Sequence, residues 1–206
     1  MGKFARFASR GVGVRFLVLT CLGVLASTGV AAARACEPPS LVSPFAQWGD
    51  TSGYFLAPGG SFDRGAGGWV LNGAELSSGS GSGFSFESIS ASGSLTIGAG
   101  GSAVSPSLCV NSTMPYIRFF ARQVSPGSDL QVQGVAPSGA SPAVTVTVAQ
   151  VPDGSMPSWA PVGRVALITA SLPAGVSVNG VLRFSVPGAT GAWQIDDIYV
   201  DPYRVS

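Results

Sequence analysis

The run Ala143-Val144-Thr145-Val146-Thr147-Val148 alternates apolar and polar residues with a period of two. Such alternation is typical of a strand with one buried face, so the valines are predicted to face the core and the threonines the other side. Similar short runs recur between Gly, Ser and Pro turns, at 84–86, 94–97, 116–122, 130–135, 165–168, 181–186 and 195–200. Strands of this length and spacing predict an all-β fold.

The first 35 residues are predicted to be a secretory signal peptide. Four basic residues precede the uncharged apolar stretch 16–30, and Ala33-Arg34-Ala35 supplies small residues at a cleavage site. The alternative, a membrane anchor, is less favoured because 15 apolar residues fall short of the roughly 20 that span a bilayer. A lipoprotein signal is a further alternative, which Ala33 and Arg34 fit poorly. Cleavage leaves a single domain, residues 36–206, that is secreted or at the cell surface, with a proline-rich irregular arm over 36–58.

The charge and composition of the exported part exclude several classes of function. Residues 36–206 contain six arginines and no lysine against ten acidic residues, hence a net charge of −4. This balance argues against nucleic acid and anionic membranes as partners. The chain contains no histidine, which removes catalytic triads and histidine metal sites. A carboxylate pair, as in glycoside hydrolases, is the remaining catalytic option, and it is less favoured than a domain without catalytic residues.

Two cysteines remain after the signal, Cys36 and Cys109. An even pair in an exported protein predicts a disulfide bond that pins the new N-terminus. The alternative is two unpaired thiols. The low-complexity run Ser77–Gly83 is predicted to be a mobile surface loop, since it is too short to separate two domains.

Two motifs mark the beginning and end of the domain. Near the start lies Gly60-Ser61-Phe62-Asp63, followed by Gly68-Trp69, and near the end lies Ile195-Asp196-Asp197-Ile198. Together they resemble the first and last strands of carbohydrate-binding modules of the family 4/9 type, which have a galactose-binding-domain-like fold. The resemblance implies a jelly-roll β-sandwich of two antiparallel sheets, with Phe62 and Ile198 on adjacent strands.

The same resemblance implies a structural calcium ion. Asp63 and one of Asp196 and Asp197 would share it with backbone carbonyls, in keeping with the preference of calcium for 6 to 8 oxygen ligands. Adjacent residues of a regular strand point to opposite faces, so only one of the acidic pair is expected to face the ion. Asp63 is also one methylene shorter than the glutamate usual in the family. The alternative is that the pair caps a turn or binds Arg64.

The leading functional hypothesis is an exported, non-enzymatic domain that binds a glycan or a cell-envelope component. Its candidate ligand-binding aromatics are Trp159, Tyr116, Tyr54 and Trp48, since planar rings can stack on sugars. Trp69 and Trp193 are expected in the core. The alternative is a structural or adhesive cell-surface domain, which would bury its aromatic residues.

Overall fold

The computed structural model describes residues 36, 40–84, 93–136, 144–167 and 172–202, which belong to one compact unit, Ala33–Ser206. The proposed signal peptide and the predicted strand residues 85, 86, 143 and 168 lie outside the described residues. The elements within them are the 3₁₀ turn Ala46–Trp48 and the strands β1 Phe55–Leu56, β2 Val70–Ser78, β3 Gly93–Val104, β4 Leu108–Asn111, β5 Tyr116–Ser125, β6 Leu130–Ala136, β7 Val144–Val151, β8 Ala160–Pro161, β9 Val165–Ala166, β10 Ser177–Ser185 and β11 Ala192–Asp201. The predicted all-β class is confirmed.

The strands are antiparallel and follow the order β7-β6-β10-β3-β11-β5-β8. Strand β1 pairs with β11, β2 with β3, β4 with β10 and β9 with β5. The long strand β3 joins two layers, because Leu95–Gly98 pairs with β11 whereas Ser102–Val104 pairs with β10. The result is the predicted jelly-roll β-sandwich, in which hydrogen bonding continues from one sheet to the other through β3.

Glycines allow β2 and β3 to pass together from one layer to the other. The pairing register between the two strands shifts at Gly73, which has a φ of 59°. A Cβ atom at Gly101 would lie only 2.4 Å from the Gly73 carbonyl oxygen. The close approach of the two backbones therefore requires glycine at position 101.

The main core lies between the two layers. Phe119 of β5 meets Phe184 of β10 edge to face, with ring centroids 5.1 Å apart. Trp69 and Trp193 are buried, as expected, and the Trp193 Nε1 group donates a hydrogen bond of 2.8 Å to the Ser128 carbonyl oxygen. Burying such aromatic side chains contributes roughly 1.5–3 kcal/mol each.

The N-terminal arm packs on the outer face of β5 and β11. Phe45 stacks on Phe120 at a centroid distance of 5.3 Å and meets Tyr54 edge to face at 5.1 Å. With Tyr199, these side chains form a second buried cluster. The predicted disulfide between Cys36 and Cys109 is present and ties the start of the arm to β4.

The valines of β7 lie on the predicted face of the strand, but that face is less buried than predicted. Thr145 and Thr147 are exposed, whereas Val146 and Val148 are half-buried. Val144 is 50% exposed, so its predicted burial is wrong. Strand β7 ends the strand order, and side chains of such an edge strand have neighbours on one side only.

The two terminal motifs are neighbours, although not as adjacent strands. Residues 59–64 form turns, and Phe62 has a φ of 56°, so the prediction that Phe62 lies on a strand is wrong. The strand that closes on β11 is β1, which lies upstream of the motif. The motifs still meet, because the Ile198 amide donates to the Gly60 carbonyl oxygen at 3.1 Å. None of the described residues forms a helix long and apolar enough to cross a membrane.

Candidate functional site

A row of side chains crosses the outer face of one layer, on the side away from the main core. Glu75 of β2 is paired with Thr96 of β3, Thr96 with Gln194 of β11, and Gln194 with Arg122 of β5. Trp159 comes directly before β8, beside Arg122. We call these five residues the polar row. Three strand spacings of roughly 4.8 Å separate the backbones of Glu75 and Arg122 by about 14 Å.

Hydrogen bonds connect three of the side chains in the polar row. The Arg122 Nε group donates to Gln194 Oε1 at 2.6 Å, and Gln194 Nε2 donates to Thr96 Oγ1 at 2.9 Å. The Thr96 hydroxyl also shares a 2.5 Å hydrogen bond with Ser77 Oγ. Gln194 is 6% exposed, so it acts as a fixed link between its neighbours. Side chains locked in this way form a preorganised surface.

Arg122 and Trp159 close one end of the row. The Arg122 Cζ atom lies 5.2 Å from the centroid of the Trp159 ring, within the range of a cation–π contact. Both side chains are half-buried. The two salt bridges within the described residues both involve Asp50. Arg122 is therefore positioned by a neutral amide and an aromatic ring rather than by a carboxylate.

The Ser-Gly run, Phe84 after it and the arm form a wall beside the row. Ser80 Oγ hydrogen-bonds Ser94 Oγ at 2.8 Å, so part of the run predicted to be a mobile loop is bonded to β3. Phe84 stacks on Phe120 at 4.9 Å, and Trp48 meets Phe84 edge to face at 5.0 Å. Trp48 is 40% exposed. The wall thus presents an accessible aromatic edge.

A shallow pocket lies at the opposite end of the row. Its lining consists of Glu75 and Thr96 together with Gly73, Ala74 and Gly98. Gly73, where the register between β2 and β3 shifts, thus also leaves space beside the row. The polar row thus has an open pocket at its Glu75 end and an aromatic ring at its Arg122 end.

The acidic pair Asp196 and Asp197 lies under the Ser-Gly run. Ser82 N donates to Asp196 Oδ2, and Ser82 Oγ donates to Asp197 Oδ2, each at 2.7 Å. Asp197 has a φ of 48°, and the pairing of β11 with β5 shifts between Asp196 and Tyr199. This bulge brings both carboxylates to the same serine. The expectation that only one of the pair faces the site is therefore wrong, because regular strand alternation stops at the bulge.

Two negative charges in this buried position are costly. Burial, together with the neighbouring charge of Asp197, raises the pKa of Asp196 to about 8. The hydrogen bonds from Ser82 act in the opposite direction but do not compensate. The pair is therefore a place where a cation would be stabilising.

Asp63 has a different local role. Its Oδ1 atom accepts a hydrogen bond of 3.0 Å from the Gly93 amide and so links the turn after β1 to the start of β3. Within the described residues, no three Cys, Asp or Glu side chains are grouped so as to hold a metal ion. A calcium site shared by Asp63 and the acidic pair stays a prediction.

The four aromatic residues predicted to bind a ligand lie in different environments. Trp159 belongs to the polar row and Trp48 to the wall. Tyr116 is half-buried, with the Arg164 Cζ atom 5.8 Å from its ring. Tyr54 is fully buried and so cannot contact a ligand. The sequence-based reasoning missed Glu75, Thr96, Gln194 and Arg122, which no motif marks and which only strand register brings into line.

Tyr54 instead belongs to a buried polar cluster around Asp50. The Tyr54 hydroxyl donates to Asp50 Oδ2 at 2.6 Å, and Arg118 Nη1 and Arg164 Nη2 donate to the Asp50 carboxylate at 2.7 and 3.0 Å. Arg118 is also bonded to the Val162 carbonyl oxygen. The cluster fastens the arm to the sandwich, and no spacing of residues along the chain indicated it.

Comparison with known proteins shows the fold. No family model and no curated protein matches the chain. Among solved structures, the C-terminal family 22 carbohydrate-binding module of Clostridium thermocellum Xyn10B has a TM-score of 0.51 at 15% identity, covering 76% of this chain and 99% of that one. The CBM22-1 xylan-binding domain of Paenibacillus barcinonensis Xyn10C has a TM-score of 0.45 at 16% identity, covering 71% and 93%. A galactotriose complex of TmCBM61 has a TM-score of 0.39 at 11% identity, covering 70% and 96%. The likeness to the family 22 module, at a TM-score of 0.51, shows that the chain has a jelly-roll fold like that of carbohydrate-binding modules.

Proposed function

We propose that the protein is an exported, non-enzymatic domain that binds a glycan or a cell-envelope glycoconjugate on the polar row. The observation that carries the proposal is the hydrogen-bonded line from Thr96 through Gln194 to Arg122, with the Trp159 ring at its end. Sugars present hydroxyl groups and flat apolar faces, and this surface offers partners for both. Fixed polar groups beside an aromatic ring are typical of small-molecule binding sites.

The disposition of the acids supports binding rather than hydrolysis. Glycoside hydrolysis requires two carboxylates about 5–10 Å apart on either side of the scissile bond. The polar row contains one carboxylate, Glu75, and the buried pair Asp196 and Asp197 is engaged with Ser82. The disulfide between Cys36 and Cys109 supports an oxidising compartment and therefore export.

Glycan-array screening of residues 36–206, followed by calorimetry on the best oligosaccharide, tests this function. Replacing Trp159 by alanine is expected to weaken binding about tenfold, since aromatic contacts contribute about 0.5–1.5 kcal/mol beyond area burial and the buried area adds to this. Val70→Ala, at a side chain that is 68% exposed outside the row, is the control and should bind normally. Binding that is unchanged in Trp159→Ala would remove the row from consideration.

The alternative, a structural or adhesive domain, is favoured by the complete burial of Tyr54 and the partial burial of Trp159. It predicts that no oligosaccharide on the array binds and that Trp159→Ala changes only the stability. The array thus separates the two functions.

A calcium ion at Asp196 and Asp197 is the second part of the proposal. The donor chemistry fits, since two carboxylates converge on Ser82 in a buried position, where oxygen ligands and negative charge suit calcium. The ion would neutralise the pair and hold the bulge of β11 against the Ser-Gly run. Its other ligands would have to come from carbonyl and hydroxyl groups or from water.

A further inference from the structure

Arg122 differs from Arg118 and Arg164 in its partners. Arg118 and Arg164 both bind the Asp50 carboxylate. Arg122 is half-buried, yet it forms no salt bridge within the part of the chain that the structure describes. A partly desolvated cation held without a counter-ion is a candidate anion-binding group.

The geometry leaves the outer part of the Arg122 guanidinium available. Its Nε group is bonded to Gln194 Oε1, and its Cζ atom lies over the Trp159 ring. The two terminal amino groups, Nη1 and Nη2, form no hydrogen bond within the described residues. Together they make a planar fork that matches the paired oxygens of a carboxylate or sulfate.

No acidic side chain of the described residues occupies the position at Arg122 that a bound anion would take. Asp196 is the next residue of β11 on the same face, but its carboxylate accepts hydrogen bonds from Ser82 and Asp197. Glu75 stands at the far end of the row, about 14 Å from Arg122 between backbones. That separation exceeds the screening length of about 8 Å at physiological ionic strength, so Glu75 does not neutralise Arg122.

We propose that the polar row selects an acidic glycan and that Arg122 binds its carboxylate or sulfate group. This inference rests on the proposed function and names the class of its ligand. The carboxylate of Glu75 repels a second anionic group at the other end of the row. The row therefore takes a glycan in one direction, with an acidic unit at Arg122 and a neutral unit at Glu75.

The test uses an array of neutral, uronic-acid-bearing and sulfated oligosaccharides, with affinities then measured for the best probe. Oligosaccharides with a single acidic unit are expected to bind the parent most tightly. Arg122→Gln should weaken that binding about tenfold to hundredfold, as expected for loss of a charged hydrogen bond. Arg183→Gln removes the same charge from an exposed position of β10 and should leave the affinity unchanged.

Two further experiments identify the anionic group and the direction in which the glycan lies along the row. Methyl esterification of a uronic-acid probe should weaken binding as much as Arg122→Gln does, whereas a sulfated probe is unaffected by that treatment. Glu75→Gln should improve binding of oligosaccharides that carry acidic groups on every unit. If Arg122→Gln is unstable by thermal melting, Arg122→Lys provides the measurement, because it keeps the charge but loses the fork and should bind more weakly than the parent.

The outcomes separate this inference from the proposed function. Neutral oligosaccharides that bind the parent and Arg122→Gln equally would overturn the acidic-glycan inference and leave glycan binding intact. The same holds if an acidic probe binds but its methyl ester binds equally well. An array without any bound oligosaccharide would overturn both.

Discussion

Replacing Asp50 by asparagine should release the N-terminal arm from the sandwich. Asp50 receives hydrogen bonds from Arg118 Nη1 at 2.7 Å and from Arg164 Nη2 at 3.0 Å. The side chains of Asp50 and Arg118 are 12% and 10% exposed. Arg118 also lies 4.1 Å from the centroid of the Phe45 ring, so it cannot turn into solvent without disturbing the arm.

The magnitude follows from the partner that is left behind. Removing one member of a buried ion pair typically costs about 3–5 kcal/mol, because the remaining charge is desolvated and unpaired. Arg164 adds little to this loss of stability, since its side chain is 34% exposed and can be solvated. For a domain of this size, 1 kcal/mol corresponds to about 2–4 °C in melting temperature, so Asp50→Asn should lower the midpoint by roughly 6–20 °C.

The same cluster predicts a dependence on pH. Burial opposes ionisation of Asp50, but hydrogen bonds from Tyr54, Arg164 and Ser52 outweigh it and hold the pKa of Asp50 well below its usual range. The folded carboxyl thus stays charged where the unfolded one, with a pKa of about 3.9, takes up a proton. The stabilisation is therefore fully present at pH values above the pKa that Asp50 has in the unfolded chain. It is lost as the pH falls through the pKa of Asp50 in the folded protein. The difference between parent and Asp50→Asn should therefore shrink between about pH 4 and pH 2.

Circular dichroism melts of residues 36–206 at several pH values provide the measurement. Glu75→Gln is the matched control, because Glu75 is exposed, and its midpoint should stay within about 2 °C of the parent, as for an ordinary surface substitution. A melting midpoint of Asp50→Asn within about 2 °C of the parent at neutral pH would contradict this prediction, since the cluster would then contribute no net stability.

Three other substitutions test the remaining features. At a hundredfold excess over Kd, millimolar calcium should raise the melting temperature of the parent by about 5–10 °C, and Asp197→Asn should abolish this shift. Equal melting midpoints of the parent in calcium and in chelator would exclude the ion. Cys109→Ala should cost roughly 4 kcal/mol in denaturant titrations by opening the loop closed with Cys36, and free thiols in the non-reduced parent by mass spectrometry would contradict the bond. Gly101→Ala should lower the free energy of unfolding by about 1–3 kcal/mol or more, because the alanine Cβ would collide with the Gly73 carbonyl oxygen. An unchanged denaturation midpoint would show that β2 and β3 separate at this point without cost.

Local patterns predicted most of the strands because a strand with one buried face must alternate with period two. The run through Val146 and Val148 shows both the strength and the limit of this rule. The sequence indicates which side chains share a face, but only the position of β7 at the sheet edge decides how deeply that face is buried. The disulfide was predictable as well, since only two cysteines follow the predicted signal peptide and they allow one pairing.

The acidic pair and the polar row depended on tertiary structure. The bulge at Asp197 brings two successive carboxylates to Ser82, whereas strand geometry alone would separate them. The row depends on register between strands that are far apart in sequence, since Gln194 must lie between Thr96 and Arg122.

The all-β class, the disulfide and the resemblance of the fold to carbohydrate-binding modules could be predicted from the amino-acid sequence, because they follow from local alternation, from composition and from short terminal motifs. The fold was needed to show which polar residues stand side by side and which aromatic residues remain accessible. Tyr54 and Trp159 are both plausible ligand-binding residues in the sequence, yet one is buried against Asp50 and the other stands at the end of the row. Long-range pairing of strands, and not the order of residues along the chain, sets the neighbours and the solvent exposure of each side chain.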